Sequence, residues 1–341
     1  MDEAKDRRTW QRLWELIWGC AISQAIHVAV ELKIPELLEH RSLSAERLAE
    51  ETKSDAWALE AVLRALVGFE ILSVDVREEY SLGESGRLLL ASSPATFAGE
   101  AGVFFETLYR PLEALIDMVK TGRVAFDQVY GMSFYEYLTS RPALADFFHD
   151  TMTRNSVNRY AELSSVYDFT KVSRVVDIGG GEGALMAQLL RENPHVHGVL
   201  FDLPHAIDRA IGHLKAAGVA ERCELVSGSF LESVPAGGDL YLLAQILNNW
   251  RDDEARLVLQ NCRNVMKLNA RMLVLEAVHS PGVSAAPWRT LVSVGVMAQR
   301  GGRTRNVAQH HALFGSAGLK IRKIHQFPNS ETCAIDAAVD R

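Results

Sequence analysis

The stretch Arg174-Val175-Val176-Asp177-Ile178-Gly179-Gly180-Gly181-Glu182-Gly183 holds the residue types best suited to chemistry. An apolar run ends beside a carboxylate. Glycines then stand at alternate positions 179, 181 and 183, ahead of a helical pattern carried by Ala184, Leu185, Met186, Leu189 and Leu190. That order predicts a strand, a tight turn and a helix N-terminus. Glycine lets a ligand touch backbone, and the first turn of a helix presents unpaired N–H groups to an anion. The dinucleotide fingerprint spaces its glycines G-x-G-x-x-G. Here the spacing is G-x-G-x-G, with Asp177 two residues ahead. This variant suits a ligand with a carboxylate and an ammonium better than a pyrophosphate.

S-adenosylmethionine (SAM) is such a ligand, and three further segments fit its other parts. Phe201-Asp202-Leu203-Pro204 closes a second apolar run, where a carboxylate accepts both hydroxyls of a ribose. The plain alternative for Asp202 is a helix N-cap. Gly228-Ser229-Phe230 follows a third run and offers a small polar residue beside an aromatic ring for an adenine, although Phe230 suits a core equally well. Leu247-Asn248-Asn249-Trp250-Arg251-Asp252 follows a fourth run. Ligands of open α/β sheets bind at the carboxyl ends of strands, so Asn248 and Asn249 are candidates for hydrogen bonds to a substrate. An ordinary turn is the alternative, since Asn favours turns, and Asp252 suits the N-cap of the next helix.

The elements that must position these residues alternate. Apolar runs at 174–178, 198–202, 223–227, 239–244 and 271–276 are separated by helical patterns at 183–192, 205–217 and 253–267. Strand–helix alternation predicts a parallel sheet covered on both faces, with a last pair of strands at 319–325 and 332–338. Residues 10–90 read as short helices, with Ser44 and Ser54 as N-caps, followed by a hairpin over 71–82. Residues 95–150 are helical and rich in Phe and Tyr. His310 and His311 fall on a helix and are expected at the surface.

At 341 residues two domains are expected, at roughly 100–200 residues each. A hydrophobic content of 48% suffices for a core. No apolar run reaches the roughly 18 residues of a bilayer span, and the N-terminus lacks the apolar core of a secretion signal. The four cysteines (Cys20, Cys223, Cys262, Cys333) are dispersed with no C-x-x-C, so no metal site is expected and a cytoplasmic setting is the natural reading. A helix–turn–helix with a wing over 44–82 raises DNA binding. However, its second helix, 55–70, carries only Arg64 against Asp55, Glu60 and Glu70, and the net charge is −7. Neither nucleic acid nor membrane is expected as a partner.

In this order and spacing the four segments resemble the class I SAM-dependent methyltransferases, and more narrowly the caffeate- and hydroxyindole-type small-molecule O-methyltransferases with their bacterial polyketide-tailoring branch. The resemblance covers nearly the whole chain. It implies an α/β fold: a Rossmann-like SAM-binding domain over 166–341, an α-helical winged-helix dimerisation domain over 1–95, and a helical linker over 96–165 that contributes to the substrate pocket. A homodimer and a small-molecule acceptor follow. Asp177, Gly179, Gly180 and Gly181 then hold the methionine part, Asp202 and Leu203 the ribose, Ser229 and Phe230 the adenine, and Ala244 stands where a Lys is common. Ser156 falls on a contact to the SAM carboxylate. Met152 faces substrate, and Phe105, Tyr109, Trp288 and Met297 fall in segments that line the acceptor pocket. Glu276 matches an acid that ends the fifth strand.

The chain departs from that pattern where the reaction takes place. The family carries a histidine as general base at the position of Asn248, and an acid that orients it at the position of Thr304. An amide has no useful basicity at neutral pH. A general base is worth about 10²–10⁴-fold, whereas alignment of two reactants supplies an effective molarity of roughly 10⁵–10⁸ M. Methyl transfer by positioning alone is therefore expected for an acidic or already ionised acceptor oxygen, or for a nitrogen. His149, near Met152, is the best substitute base, with a structural role as its alternative. A second reading keeps SAM but not transfer, with a pericyclic, decarboxylative or hydroxylation step in its place.

Overall fold

A computed structural model describes residues 3–93, 96–279, 287–328 and 332–340. The chain divides into two compact units, residues 1–109 and 110–341. In the first, the helices Gly19–Glu31, Ala45–Thr52 and Ala56–Gly68 accompany a small antiparallel sheet. Its strands β1 (Leu43–Ser44), β2 (Leu72–Val74) and β3 (Glu79–Leu82) run in the order β1-β3-β2. Ile34, Leu48, Leu63, Leu66 and Tyr80 form its core. Ser44 caps its helix as expected, accepting from Arg47 N at 3.4 Å. The next cap is Asp55, not Ser54: its carboxylate accepts from Ala58 N at 2.8 Å, while Ser54 Oγ accepts from Thr52 Oγ1. The negative charge of Asp55 suits the positive end of the helix.

The helix Glu3–Ile17 turns a row of large apolar side chains outward. Trp10 is 63% exposed and Trp14 50%, their rings stacked with centroids 5.3 Å apart, and Leu13 and Ile17 continue the patch.

In the second unit the strands follow the predicted runs closely. They are β4 (Arg174–Ile178), β5 (His197–Asp202), β6 (Cys223–Ser227), β7 (Leu240–Ala244), β8 (Arg271–His279), β9 (Arg305–Asn306), β10 (Leu319–Gln326) and β11 (Thr332–Val339). The sheet order is β10-β11-β8-β7-β4-β5-β6, with β9 paired to β8 off that path. The pairs from β8 to β6 are parallel, and β11 pairs antiparallel with both β8 and β10. β4 has β5 on one side and β7 on the other, so the strand order reverses there. A crevice opens beyond the carboxyl ends of the strands at such a switch point.

Apolar side chains on both faces explain the layering. Val176, Ile178, Tyr241, Leu243 and Val274 pack with residues of the helices Asp252–Val265 and Val307–Ser316. Val175, Leu200, Leu242 and Leu275 pack with the helices Ala184–Glu192 and Pro204–Ala216.

His311 is exposed as expected, but His310 is fully buried in the same helix, its ring 6.3 Å from that of Phe314. Burial first, and then the charges of Arg305 and His311, push its pKa down to about 4, so it is neutral. Among the described residues no single helix is long and apolar enough to cross a membrane, and no group of three or more metal-ligating side chains converges.

Candidate active site

The turn after β4 is built as the glycines require. Gly179, Gly181 and Gly183 have φ of +70°, +59° and +79°, a region that side chains with a Cβ avoid. Gly179 is also tightly packed, since a Cβ there would stand 2.5 Å from Ile246 Cδ1 and 3.2 Å from Phe230 Cε1. A Cβ on Gly180 would meet Leu200 at 2.3 Å and Asp177 Oδ2 at 2.6 Å. The turn is pinned to the end of β5: Gly179 N donates to Phe201 O at 2.8 Å, and Gly181 N donates to Asp202 Oδ2 at 2.7 Å.

Asp202 thus binds backbone with both oxygens, its Oδ1 accepting from Leu203 N at 2.7 Å. Each oxygen keeps a lone pair for a ligand hydroxyl. Burial raises the pKa of Asp202, against the pull of the Leu203 and Gly181 N–H groups and of His149 and His205. Asp177 lies deeper. It is fully buried, and neither carboxylate oxygen has a partner. Burial, with the charge of Asp202 added, pushes its pKa up to about 7. A buried carboxylate without a donor is costly, and a cationic ligand group is what would relieve it.

The turn also carries a residue that its spacing does not single out, Glu182.

 Glu182 is 3% exposed and is clamped from three sides. Arg209 pairs with it, His213 Nε2 stands 2.9 Å from its Oε2, and Thr153 Oγ1 donates to the same oxygen at 3.4 Å. Arg209 also pairs with Asp146, and with Asp150 at 2.8 Å. The clamp ties the helix Pro142–Arg159 to the glycine turn and to the helix Pro204–Ala216. Met152, which is exposed, Ser156 and His149 all ride on that tied helix.

His149 stands against His205, ring centroids 5.3 Å apart, at the Asp202 end of the crevice. Burial and then His205 lower its pKa, while Glu182 and Asp202 work against them.

The segment after β7 forms the other wall. Gln245 has a φ of +55° and gathers both asparagines: Asn248 Nδ2 donates to Gln245 Oε1 at 2.9 Å, and Asn249 Nδ2 donates to Gln245 O at 2.7 Å. Arg300 Nη1 donates to Asn249 Oδ1 at 2.6 Å. Fully buried Glu276 accepts from Asn248 N at 2.9 Å. Burial pushes the Glu276 pKa up to about 7, against the N–H groups of Asn248 and Leu247 and the charge of Arg305. Arg305, itself buried, donates to Leu247 O at 2.8 Å and Trp250 O at 2.9 Å, and pairs with Asp252. Asp252 is therefore an ion-pair partner in the first turn of its helix and not the N-cap, which is Arg251. Thr304, at the position of the expected acid, faces Ser293 with the hydroxyl oxygens 2.5 Å apart.

The remaining candidates divide. Phe230 meets Trp250 edge-on at 5.9 Å, beside Gly179. Ser229 Oγ accepts from Leu231 N at 3.3 Å, and Ala244 ends β7 half-buried. Met297 lies half-buried on the helix Pro287–Arg300. Trp288 starts that helix, but its side chain lies outside the described residues. Phe105 and Tyr109 belong to the first unit, where Phe105 packs on His27 at 4.3 Å and on Tyr109 at 6.4 Å. Sequence spacing missed Glu182, Arg209, Gln245 and Arg300. Only the unusual acid within the glycine run was visible as a signal.

The O-methyltransferase domain family matches residues 112–320, and the O-methyltransferase dimerisation domain family matches residues 14–92. The chain belongs to the O-methyltransferase family. This enzyme is 32% identical to the O-demethylpuromycin-O-methyltransferase of Streptomyces alboniger, over 93% of its own length and 86% of the relative's. It is also 30% identical to the aclacinomycin 10-hydroxylase of Streptomyces purpurascens, over 87% of its own length and 81% of the hydroxylase. Among solved structures, the O-methyltransferase of neocarzinostatin biosynthesis, in complex with SAM and 2-hydroxy-5-methyl naphthoic acid, superposes with a TM-score of 0.83 at 27% identity, covering 93% of this chain and 95% of that one.

Proposed function

We propose that this enzyme methylates a small aromatic or polyketide-like secondary metabolite, at oxygen with nitrogen as the alternative atom, using SAM and no side-chain general base. The observation that carries the reading is the glycine turn at the sheet's switch point, locked to Asp202 by Gly181 N at 2.7 Å above the unpartnered carboxylate of Asp177. These residues fit the group. Asp177 with Gly179, Gly180 and Gly181 would hold the amino-acid end, with Ser156 at its carboxylate. Asp202 with Leu203 would hold the ribose. Ser229 and Phe230, with Ala244 nearby, would hold the adenine. When bound, SAM supplies an electrophilic methyl group on a sulfonium.

The base-free mode rests on the pairing of Thr304 with Ser293 and of Asn248 with Gln245. Asn248 and Asn249 would orient the acceptor, with Met152 and Met297 lining its pocket. His149 is less suited to the base role, because it stands at the Asp202 end with His205. The exposed Trp10–Trp14 face and the dimerisation domain support a homodimer built on the winged-helix unit. Free cysteines suit a cytoplasmic enzyme.

A second reading, hydroxylation or another step without transfer, is favoured by the hydroxylase relative. Counting S-adenosylhomocysteine separates the two. One equivalent per product, across a panel of hydroxylated aromatic compounds, is expected for transfer. Product without that equivalent would support the second reading.

A further inference from the structure

The guanidinium of Arg300 is not saturated by the protein. Among the described residues it makes one hydrogen bond, from Nη1 to Asn249 Oδ1, and its buried Nε has no acceptor. No acid pairs with it among the described residues, whereas Arg209 and Arg305 each have a carboxylate. Three aromatic rings surround it instead: Phe134 at 4.5 Å from the guanidinium carbon, Phe148 at 5.6 Å and Tyr135 at 5.9 Å. At the other end of the same hydrogen-bonded chain, Asn248 Oδ1 is buried without a donor. The last turn of a helix favours a cation, which accounts for an arginine there but not for its unmet donors. A half-buried cation walled by rings and lacking a counter-charge is suited to an anion brought by a ligand, and a planar fork matches the two oxygens of a carboxylate or the single oxygen of a phenolate.

We propose that Arg300 is the anion-holding residue of the acceptor pocket, and that the acceptor is an aromatic compound carrying an ionised oxygen, as carboxylate or phenolate. This rests on the methyltransferase reading above and narrows its substrate class. It also accounts for the missing base. An ionised oxygen forms its bond to the methyl carbon while sulfur keeps the electron pair of the broken C–S bond, and no proton has to be removed. Where the held oxygen belongs to a neighbouring carboxylate, the same cation aligns the reacting hydroxyl, whose proton passes to that carboxylate as the bond to the methyl carbon forms.

Binding to the full chain loaded with S-adenosylhomocysteine tests this, with cofactor affinity measured first so that failure of the fold or of the methyltransferase reading is seen separately. In the carboxylate arm the probes are 1-naphthoate and its uncharged amide. In the phenolate arm the probe is 4-nitrophenol, whose ionised form is yellow. At least one anion should bind, and Arg300→Gln should weaken it by about 10- to 100-fold, the range for hydrogen bonds to a charged group. Arg300→Lys should restore part of that loss, and affinity for the amide should not change. A purely structural role for Arg300 would not alter the preference for anion over amide. Failure of both anions to bind the loaded protein, or equal binding to wild type and Arg300→Gln, would overturn the proposal.

Discussion

Thr304 Oγ1 lies 2.5 Å from Ser293 Oγ, while Asn248 turns its amide to Gln245. The two positions that the resemblance gives to a base and its orienting acid therefore each face a different neighbour, and Asn248 Oδ1 is left without a donor. Neither Asn248 nor Thr304 is a base, and on the function proposed above the acceptor is held by geometry and charge.

Asn248→Ala should consequently lower kcat by less than about tenfold, because no general base worth about 10²–10⁴ is lost. Steady-state kinetics on any methylated acceptor measures this. A fall beyond about 10² would mean that Asn248 does more than orient.

Asp177 carries a sign that can be worked out. Its folded pKa, about 7, lies above the ordinary carboxylate value, so the folded state holds the proton more tightly than the unfolded one. Its protonation favours folding through the window between about pH 4 and 7, and stability falls as pH rises across it, by at most about 1.4 kcal/mol per pH unit for one group. Denaturant melts of Asp177→Asn should show a flatter profile there. Calorimetry near pH 7 in buffers of differing ionisation enthalpy should show proton release on SAM binding, and the variant should lose it.

The clamp on Glu182 predicts a coupled loss. Removing Arg209 leaves a buried carboxylate with only His213 and Thr153 and frees two aspartates on the helix Pro142–Arg159. Because Arg209 is itself partly exposed, the cost of Arg209→Ala should be nearer about 2 kcal/mol than that of a fully buried pair. Amide exchange over 146–156 should quicken, and the KM for SAM should rise.

The outward row at the N-terminus gives a fourth expectation. Trp14→Asp should shift the protein from dimer to monomer in analytical ultracentrifugation, since an exposed patch of stacked tryptophans is suited to burial against a second copy. Retention of the dimer would place the interface elsewhere.

Strand ends and the glycine turn were legible because each is a local signal: an apolar run that stops, then glycines at fixed spacing, then a 3.6-residue pattern. Asp202 was legible because it closes such a run. The Glu182–Arg209 clamp was not, because it exists only where two helices far apart in sequence converge on the turn. Arg300 was equally hidden. Its meaning comes from rings at 134, 135 and 148 and from an amide at 249, none of them a neighbour in sequence. His310 read as a surface residue beside His311, yet it shares the inward face with Leu313 and Phe314. Ser54 and Asp55 are adjacent and both are good caps, so spacing alone does not separate them, and the cap is Asp55.

Calorimetric titration of S-adenosylhomocysteine into the wild-type chain and into Asp202→Ala bears most directly on the cofactor site. One equivalent bound per chain, with affinity falling at least about 100-fold in the variant, is expected from a carboxylate that holds both the ribose and the turn. No heat with wild type, or an affinity that the variant leaves unchanged, would contradict it.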